Sequence, residues 1–275
     1  MNDKLIKTIG EIGLQRLDEC SKFARTRFLP SVRVCFGVGE RDEPLPFGTC
    51  FLMRVGGYPF LITAAHVIDK NVHFSIYIQG GSKPVLLKAE FIATKRPGND
   101  RNADHYDFAF TELSDAQCAD LEAGSMIDES DISANQARTD NRAYMTLGYP
   151  ATKQERVWQK PIVLITPWTF VGTDKPDEAF SKKLGVSGSD HFFIVHNKYV
   201  SNFAGEKLTA VKPQGASGGM LIDLGPFDPD KLRPDAPCVG LLAGVLIEHN
   251  THAKRIVAVK IQLVLEKIKE YLKRD

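Results

Sequence analysis

The sequence predicts a mainly β fold in two halves, with a helix at each end. Three observations carry this. From residue 30 to 113, apolar residues recur at period two in short runs separated by Gly, Pro and Asp turns. A second series of such runs follows a Ser-, Asp-, Ala- and Asn-rich stretch at 114–142. Both ends instead space their apolar residues as helices do. The chain divides into an N-terminal helical extension at 1–29, a first β unit at 30–125, and a second β unit with the C-terminal helix at 126–275.

The first helix is expected over 3–28, where Leu5, Ile9, Ile12, Leu17, Cys20 and Phe23 keep helical spacing, with Gly10 or Gly13 as points of interruption. From Ser31 to Val38 the pattern alternates as in a strand. Arg41–Pro46 reads as a polar loop, and Gly48–Val55 as the next strand. Gly56-Gly57 is a hairpin turn signal before Tyr58–Ala65. Further strands are expected at Phe74–Gln79, Val85–Ala93 and Tyr106–Leu113. In the second half they are expected at Ala143–Gly148, Ile162–Val171, His191–His196, Met220–Ile222, Val239–Glu248 and Val257–Val259. Residues 114–142 read as a linker with a short helix. The charged, Pro-containing stretches 173–190 and 225–237 read as surface loops. The C-terminal helix is expected at Ile261–Lys273, with Ile261, Val264, Leu265 and Ile268 on one face. Short strands at regular spacing indicate a barrel or sandwich.

Composition narrows the function. The chain has 275 residues, 43% hydrophobic and 25% charged, with a net charge of +1. That balance gives no electrostatic case for nucleic acid or an anionic membrane. No apolar run is long enough to span a bilayer, and the N-terminus lacks the apolar core of a secretory signal. The five cysteines are widely spaced, with no C-x-x-C, which argues for reduced thiols and a cytoplasmic location. Cys50 lies nearest to a candidate histidine.

The chemistry centres on Gly215-Ala216-Ser217-Gly218-Gly219. Glycines let the chain turn tightly around a presented hydroxyl, and they free N–H groups that can meet an oxyanion. A serine becomes a nucleophile only beside a base that a third group orients. His66, at the end of the apolar run Phe60–Ala65, is the candidate base. Asp107, before Phe108-Ala109-Phe110, is the candidate orienting carboxylate, because burial demands a partner for it. Asp104 is the alternative, although its neighbours are polar. The order His, Asp, Ser is one of three known for such triads. His249-x-x-His252 lacks a third ligand at a convincing spacing, so no metal and no cofactor is expected.

With Gly48-Thr49-Cys50-Phe51, Leu61–Val67, Asp107–Phe110 and Gly215–Gly219 in this order, the chain resembles trypsin/chymotrypsin-like serine peptidases, nearer the bacterial intracellular or Deg-like branch than the secreted enzymes. The likeness covers roughly residues 31–270. It implies two six-stranded antiparallel β-barrels with the active site between them. It further implies His66, Asp107 and Ser217 as the triad and the N–H groups of Gly215 and Ser217 as the oxyanion hole. Val211, Lys212, Gln214, Ala243, Gly244 and Val245 would bind substrate. Val211 stands where a preference for Arg or Lys needs an acid, so a small or apolar residue before the scissile bond is expected. Val245 would narrow the pocket, and Lys212 could meet an acidic side chain. Val67 stands where secreted members carry a disulfide cysteine, and Cys50 replaces a glycine. Ala216 replaces the aspartate that captures a new N-terminus, so activation by N-terminal cleavage is not expected. The implied partners are a peptide or protein substrate and a regulatory protein. The G-x-S-x-G spacing also fits an α/β-hydrolase elbow with His249 as base, and the fold alone could serve as a catalytically silent binding module.

Overall fold

The computed structural model describes residues 8–39, 43–73, 75–81, 83–134, 141–153, 155–157, 162–202, 204–227 and 236–274. Its first element is α1 (Ile9–Phe28). Thr8 starts it with a capping box, accepting from Glu11 N–H at 3.2 Å while Glu11 reaches back to Thr8 N–H at 2.7 Å. Neither Gly10 nor Gly13 interrupts α1, which starts later than the apolar spacing suggested; residues 1–7 lie outside the described residues.

The first half contains β1 (Val32–Val38), β2 (Pro44–Val55), β3 (Tyr58–Ala64), β4 (Tyr77–Gln79), β5 (Pro84–Leu86), β6 (Ile92–Ala93) and β7 (Phe108–Glu112). A single turn, α2 (Ala65–Ile68), follows β3. The sheet order is β5-β4-β1-β2-β3-β7-β6. The strand expected at 85–93 is broken in two. Its start pairs with β4 and its end with β7, so one interrupted segment spans both edges of an otherwise five-stranded ladder. Pro44–Pro46, expected in a loop, already belong to β2 and pair with β1. Arg41 and Asp42 lie outside the described residues.

The 114–142 stretch holds α3 (Asp115–Asp120), capped by Ser114 and Gln117. Single bridges from Ile127 to Met53 and from Ile132 to Leu242 pin this connection to both halves.

The second half contains β8 (Arg142–Gly148), β9 (Glu155–Val157), β10 (Ile162–Leu164) and β11 (Trp168–Thr173). Then come α4 (Glu178–Leu184), β12 (His191–Val195), β13 (Tyr199–Ser201) and β14 (Lys207–Thr209). The last elements are β15 (Met220–Pro226), β16 (Leu241–Asn250), β17 (Arg255–Lys260) and α5 (Ile261–Leu272). The six-stranded order is β11-β8-β15-β16-β17-β12. A bridge from Asp174 to Ile194 joins the two edge strands, so this ladder returns on itself. The single strand expected at 162–171 is divided before Trp168, where Pro167 cannot donate to a ladder. The expected loop 173–190 contains α4, capped by Asp177 and ended by Gly185 at φ +68°. Within 225–237, residues 228–235 lie outside the described residues.

The fold of the described residues is therefore mainly β: two large antiparallel sheets, two small two-stranded ones (β9-β10 and β13-β14), and helices at both ends. One apolar cluster joins the halves, bringing Val34, Phe51 and Ile62 together with Met145, Leu147 and Met220. The C-terminal helix closes it. Tyr271 meets Phe60 and Phe110 edge-on at ring separations of 6.2 Å.

Asp223 on β15 is 1% exposed and fully engaged. It accepts from Arg142 Nη2 at 2.6 Å, Ser133 Oγ at 3.0 Å and Gly225 N–H at 2.8 Å. Removing one partner of a buried pair strands the other charge. Asp223→Ala is expected to lower unfolding free energy by about 3–5 kcal/mol in denaturant melts; a loss under about 1 kcal/mol would mean that Arg142 finds water instead.

Candidate active site

His66 sits in α2, where β3 ends, and Asp107 immediately precedes β7, the neighbour of β3. The pairing of these strands brings the two residues together. Asp107 Oδ2 lies 2.5 Å from His66 Nδ1, and Asp107 Oδ1 accepts from the His66 backbone N–H at 2.9 Å. The Asp107 carbonyl accepts from Ala65 N–H at 2.9 Å. These bonds hold Asp107 at φ +44°, a conformation most residues resist. Burial pushes its carboxyl upward, opposed by the hydrogen bond from His66. Asp104, the alternative, is committed elsewhere: it pairs with Arg101 and Thr94 and accepts from Tyr106 N–H at 3.1 Å.

The serine loop is fastened to the first half. Thr49 N–H donates to the Ser217 carbonyl at 2.9 Å, and Thr49 Oγ1 donates to the Gly215 carbonyl at 3.0 Å. Thr63 Oγ1 in turn donates to the Thr49 carbonyl at 2.6 Å. Gly218, at φ +84°, packs so closely that a Cβ there would lie 2.0 Å from the Thr49 oxygen. Ala216 N–H closes a turn onto the Pro213 carbonyl at 2.8 Å. The N–H groups of Gly215 and Ser217 have no acceptor among the described residues.

His66, Asp107, Gly215 and Ser217 line one cleft of about 1010 Å³ between the halves, as do Lys212 and Gln214. Val211 borders a separate hollow with Thr152 and Lys153. Ala243 and Val245 are buried, and Gly244 packs against the Val259 carbonyl; none of the three lines the cleft. The same strand reaches it further on, at Leu246, Ile247, Glu248 and His249. Two features cause the offset. Val245 pairs with Met220 inside the sheet, and a bulge between Leu246 and Glu248 re-aims the strand. Lys70 and Phe47 also line the cleft, with the Lys70 ammonium 4.8 Å from the ring centre. Sequence reasoning missed Thr49 and Thr63, although Thr49 lies inside the Gly48–Phe51 block.

Cys50 is fully buried beside Cys35, away from the cleft. Val67 fills the space over Gly48, where a Cβ would stand 2.6 Å from its methyl. His191 does not line the cleft; its ring lies between the His105 and Ser187 carbonyls at 2.7 and 3.1 Å. His196 packs behind the cleft against Phe170 and His249, both at ring separations of 4.8 Å. Burial, and then the neighbouring His249, bring His196 down to about 4. Between about pH 6.5 and 4 the unfolded chain therefore binds a proton that folded His196 refuses, and stability falls as pH drops through that window. The loss amounts to up to about 3 kcal/mol, and His196→Phe is expected to flatten the slope in melts from pH 4 to 7. An unchanged slope would mean that His196 takes up its proton equally in the folded and the unfolded chain.

No family model and no curated protein matches the sequence. Solved structures do resemble it. A scabies mite inactivated protease paralogue superposes with a TM-score of 0.51 at 12% identity, over 89% of this chain and 93% of its own. The serine protease domain of the Sesbania mosaic virus polyprotein gives 0.46 at 11% identity, over 86% and 91%. A thermostable serine protease from an extremophilic microorganism gives 0.45 at 13% identity, over 84% and 90%. The likeness to the mite protein is one of fold alone, a chymotrypsin-like arrangement of antiparallel sheets. Among the described residues the sheets are antiparallel and lack βα alternation, which excludes the α/β-hydrolase elbow expected as an alternative for Gly215–Gly219. Among the described residues no helix is long and apolar enough to cross a membrane.

Proposed function

We propose that the chain is a serine endopeptidase acting through His66, Asp107 and Ser217. The observation that carries this is the double hold of Asp107 on His66, in the same cleft as Ser217 and two N–H groups without acceptors among the described residues. In this reading His66 Nε2 takes the Ser217 proton as Oγ attacks the scissile carbonyl carbon. The Gly215 and Ser217 N–H groups receive the negative oxygen. His66 then gives the proton to the departing amine, and water releases the acyl group by the same steps in reverse. Asp107 keeps the Nδ1 proton on His66 and stabilises the imidazolium.

Leu246, Ile247 and Val257 supply apolar wall to the cleft, which supports a small or apolar residue before the scissile bond rather than Arg or Lys. Lys212 and Gln214 take part in seating the peptide, with Val211 at the margin. We further propose a cytoplasmic protein held in check by a regulatory partner, because an unrestrained peptidase damages its own cell.

The test is peptide-library profiling of the wild type beside Ser217→Ala. Cleavage confined to the wild type, with apolar or small residues before the cut, is expected. A flat profile in both would favour a second reading, a silent binding module, in line with the mite protein's description as inactivated.

A further inference from the structure

The five cysteines, expected to be reduced thiols, are free, and two of them face each other remote from the cleft. Cys20 on α1 and Cys238 just before β16 hold their sulfurs 3.2 Å apart. They are far apart in sequence, and both lie where α1 docks. Ala24 packs there against Gly240, and Arg27 donates to the Gly240 carbonyl at 3.3 Å. A cation stands beside them: the Arg16 guanidinium acts electrostatically on both thiols. Its Nη1 donates to Glu19 at 3.1 Å, while Nη2 is buried with no hydrogen-bond partner among the described residues. A buried guanidinium N–H without an acceptor beside two thiols suits a thiolate, whose formation it favours.

We infer that Cys238 and Cys20 are a disulfide-forming pair, activated by Arg16, which in the presence of oxidised glutathione closes and locks α1 onto the start of β16. Access sets the order. Cys20 is 3% exposed and Cys238 is half-buried, so Cys238 meets the oxidant. Its thiolate attacks one sulfur of oxidised glutathione, forming a mixed disulfide and releasing one glutathione thiolate. The Cys20 thiol loses its proton to solvent, and its thiolate attacks the Cys238 sulfur. The Cys20–Cys238 bond forms and a second glutathione leaves. Two protein thiols are oxidised as one glutathione disulfide is reduced. Burial, and then the bond to Cys238, push the Cys20 thiol up to about 11, which opposes the second step. The short separation and the neighbouring Arg16 favour it. In a cytoplasmic protein this lock would close only when the glutathione pool turns oxidising.

The molecule carries its own control. Cys35 and Cys50 also touch, but both are 0% exposed, and burial raises the Cys35 thiol well above its ordinary value. They should stay reduced.

The test treats the full chain with oxidised glutathione and maps disulfides by mass spectrometry without reduction. A linked Cys20–Cys238 peptide is expected, with thiols at Cys35, Cys50 and Cys118. The thermal midpoint should rise by roughly 5–10 °C and return on adding dithiothreitol. Cys20→Ser should stop with one glutathione on Cys238. Arg16→Gln should slow closure about 3- to 10-fold, with Arg16→Lys restoring most of the rate. Five free thiols after treatment, a bond between other cysteines, or a linked protein with an unchanged midpoint would overturn the inference. Mapping of the wild type decides the bond itself even where a variant fails to fold.

Discussion

Ser217→Ala is expected to lower kcat/KM on a cleaved peptide by about 10⁴- to 10⁶-fold, and His66→Ala to do the same. In the proposed mechanism the hydroxyl and the imidazole act as one unit, so the losses should not add and the double variant is expected to resemble either single one. Folding should survive. Ser217 is fastened through its backbone carbonyl to Thr49 N–H, and alanine keeps that bond. His66 likewise receives Asp107 partly through its backbone N–H. Steady-state kinetics alongside circular dichroism checks both points. A Ser217→Ala protein with more than about a tenth of wild-type activity would remove the serine from the mechanism.

Asp107→Asn is expected to reduce kcat by about 10⁴-fold while KM changes little. An asparagine can still accept from the His66 backbone N–H, and it tolerates positive φ, so the loop keeps its shape. Its amide nitrogen would then face His66 Nδ1, where the carboxylate oxygen lies at 2.5 Å. Nδ1 becomes the acceptor, and the imidazole proton moves to Nε2, the atom that must receive the proton of Ser217. Asp104→Asn gives the contrast. Asp104 is bound to Arg101 and Thr94, so its loss should disturb that loop without producing the tautomer defect. Kinetics of the two variants side by side separates the roles; equal losses would mean that loop integrity, not Asp107, controls the rate.

Much of this arrangement was legible in the residues. The period-two runs located most strands, and the glycines around Ser217 marked a turn that only small residues fit. The partnership of His66 with Asp107 was readable because a carboxylate at the edge of Phe108–Phe110 needs a donor, and β3 and β7 supply one by pairing. Other features depend on geometry that spacing does not encode. The cleft-lining stretch lies at Leu246–His249 rather than Ala243–Val245, because a bulge changes which residues face outward. The stretch 85–93 reads as one strand by pattern, yet its two ends belong to opposite edges of the sheet. The closeness of Cys20 and Cys238 is invisible in the sequence, since it arises only when α1 docks beside Gly240.

The most direct measurement is covalent labelling by a fluorophosphonate, with the modified residue identified by peptide mass. An activated serine reacts with such a probe and an ordinary surface serine does not. A single adduct on Ser217 is expected in the wild type, absent from His66→Ala and strongly slowed in Asp107→Asn. Folded wild-type protein that takes no label, or takes it on another residue, would contradict it.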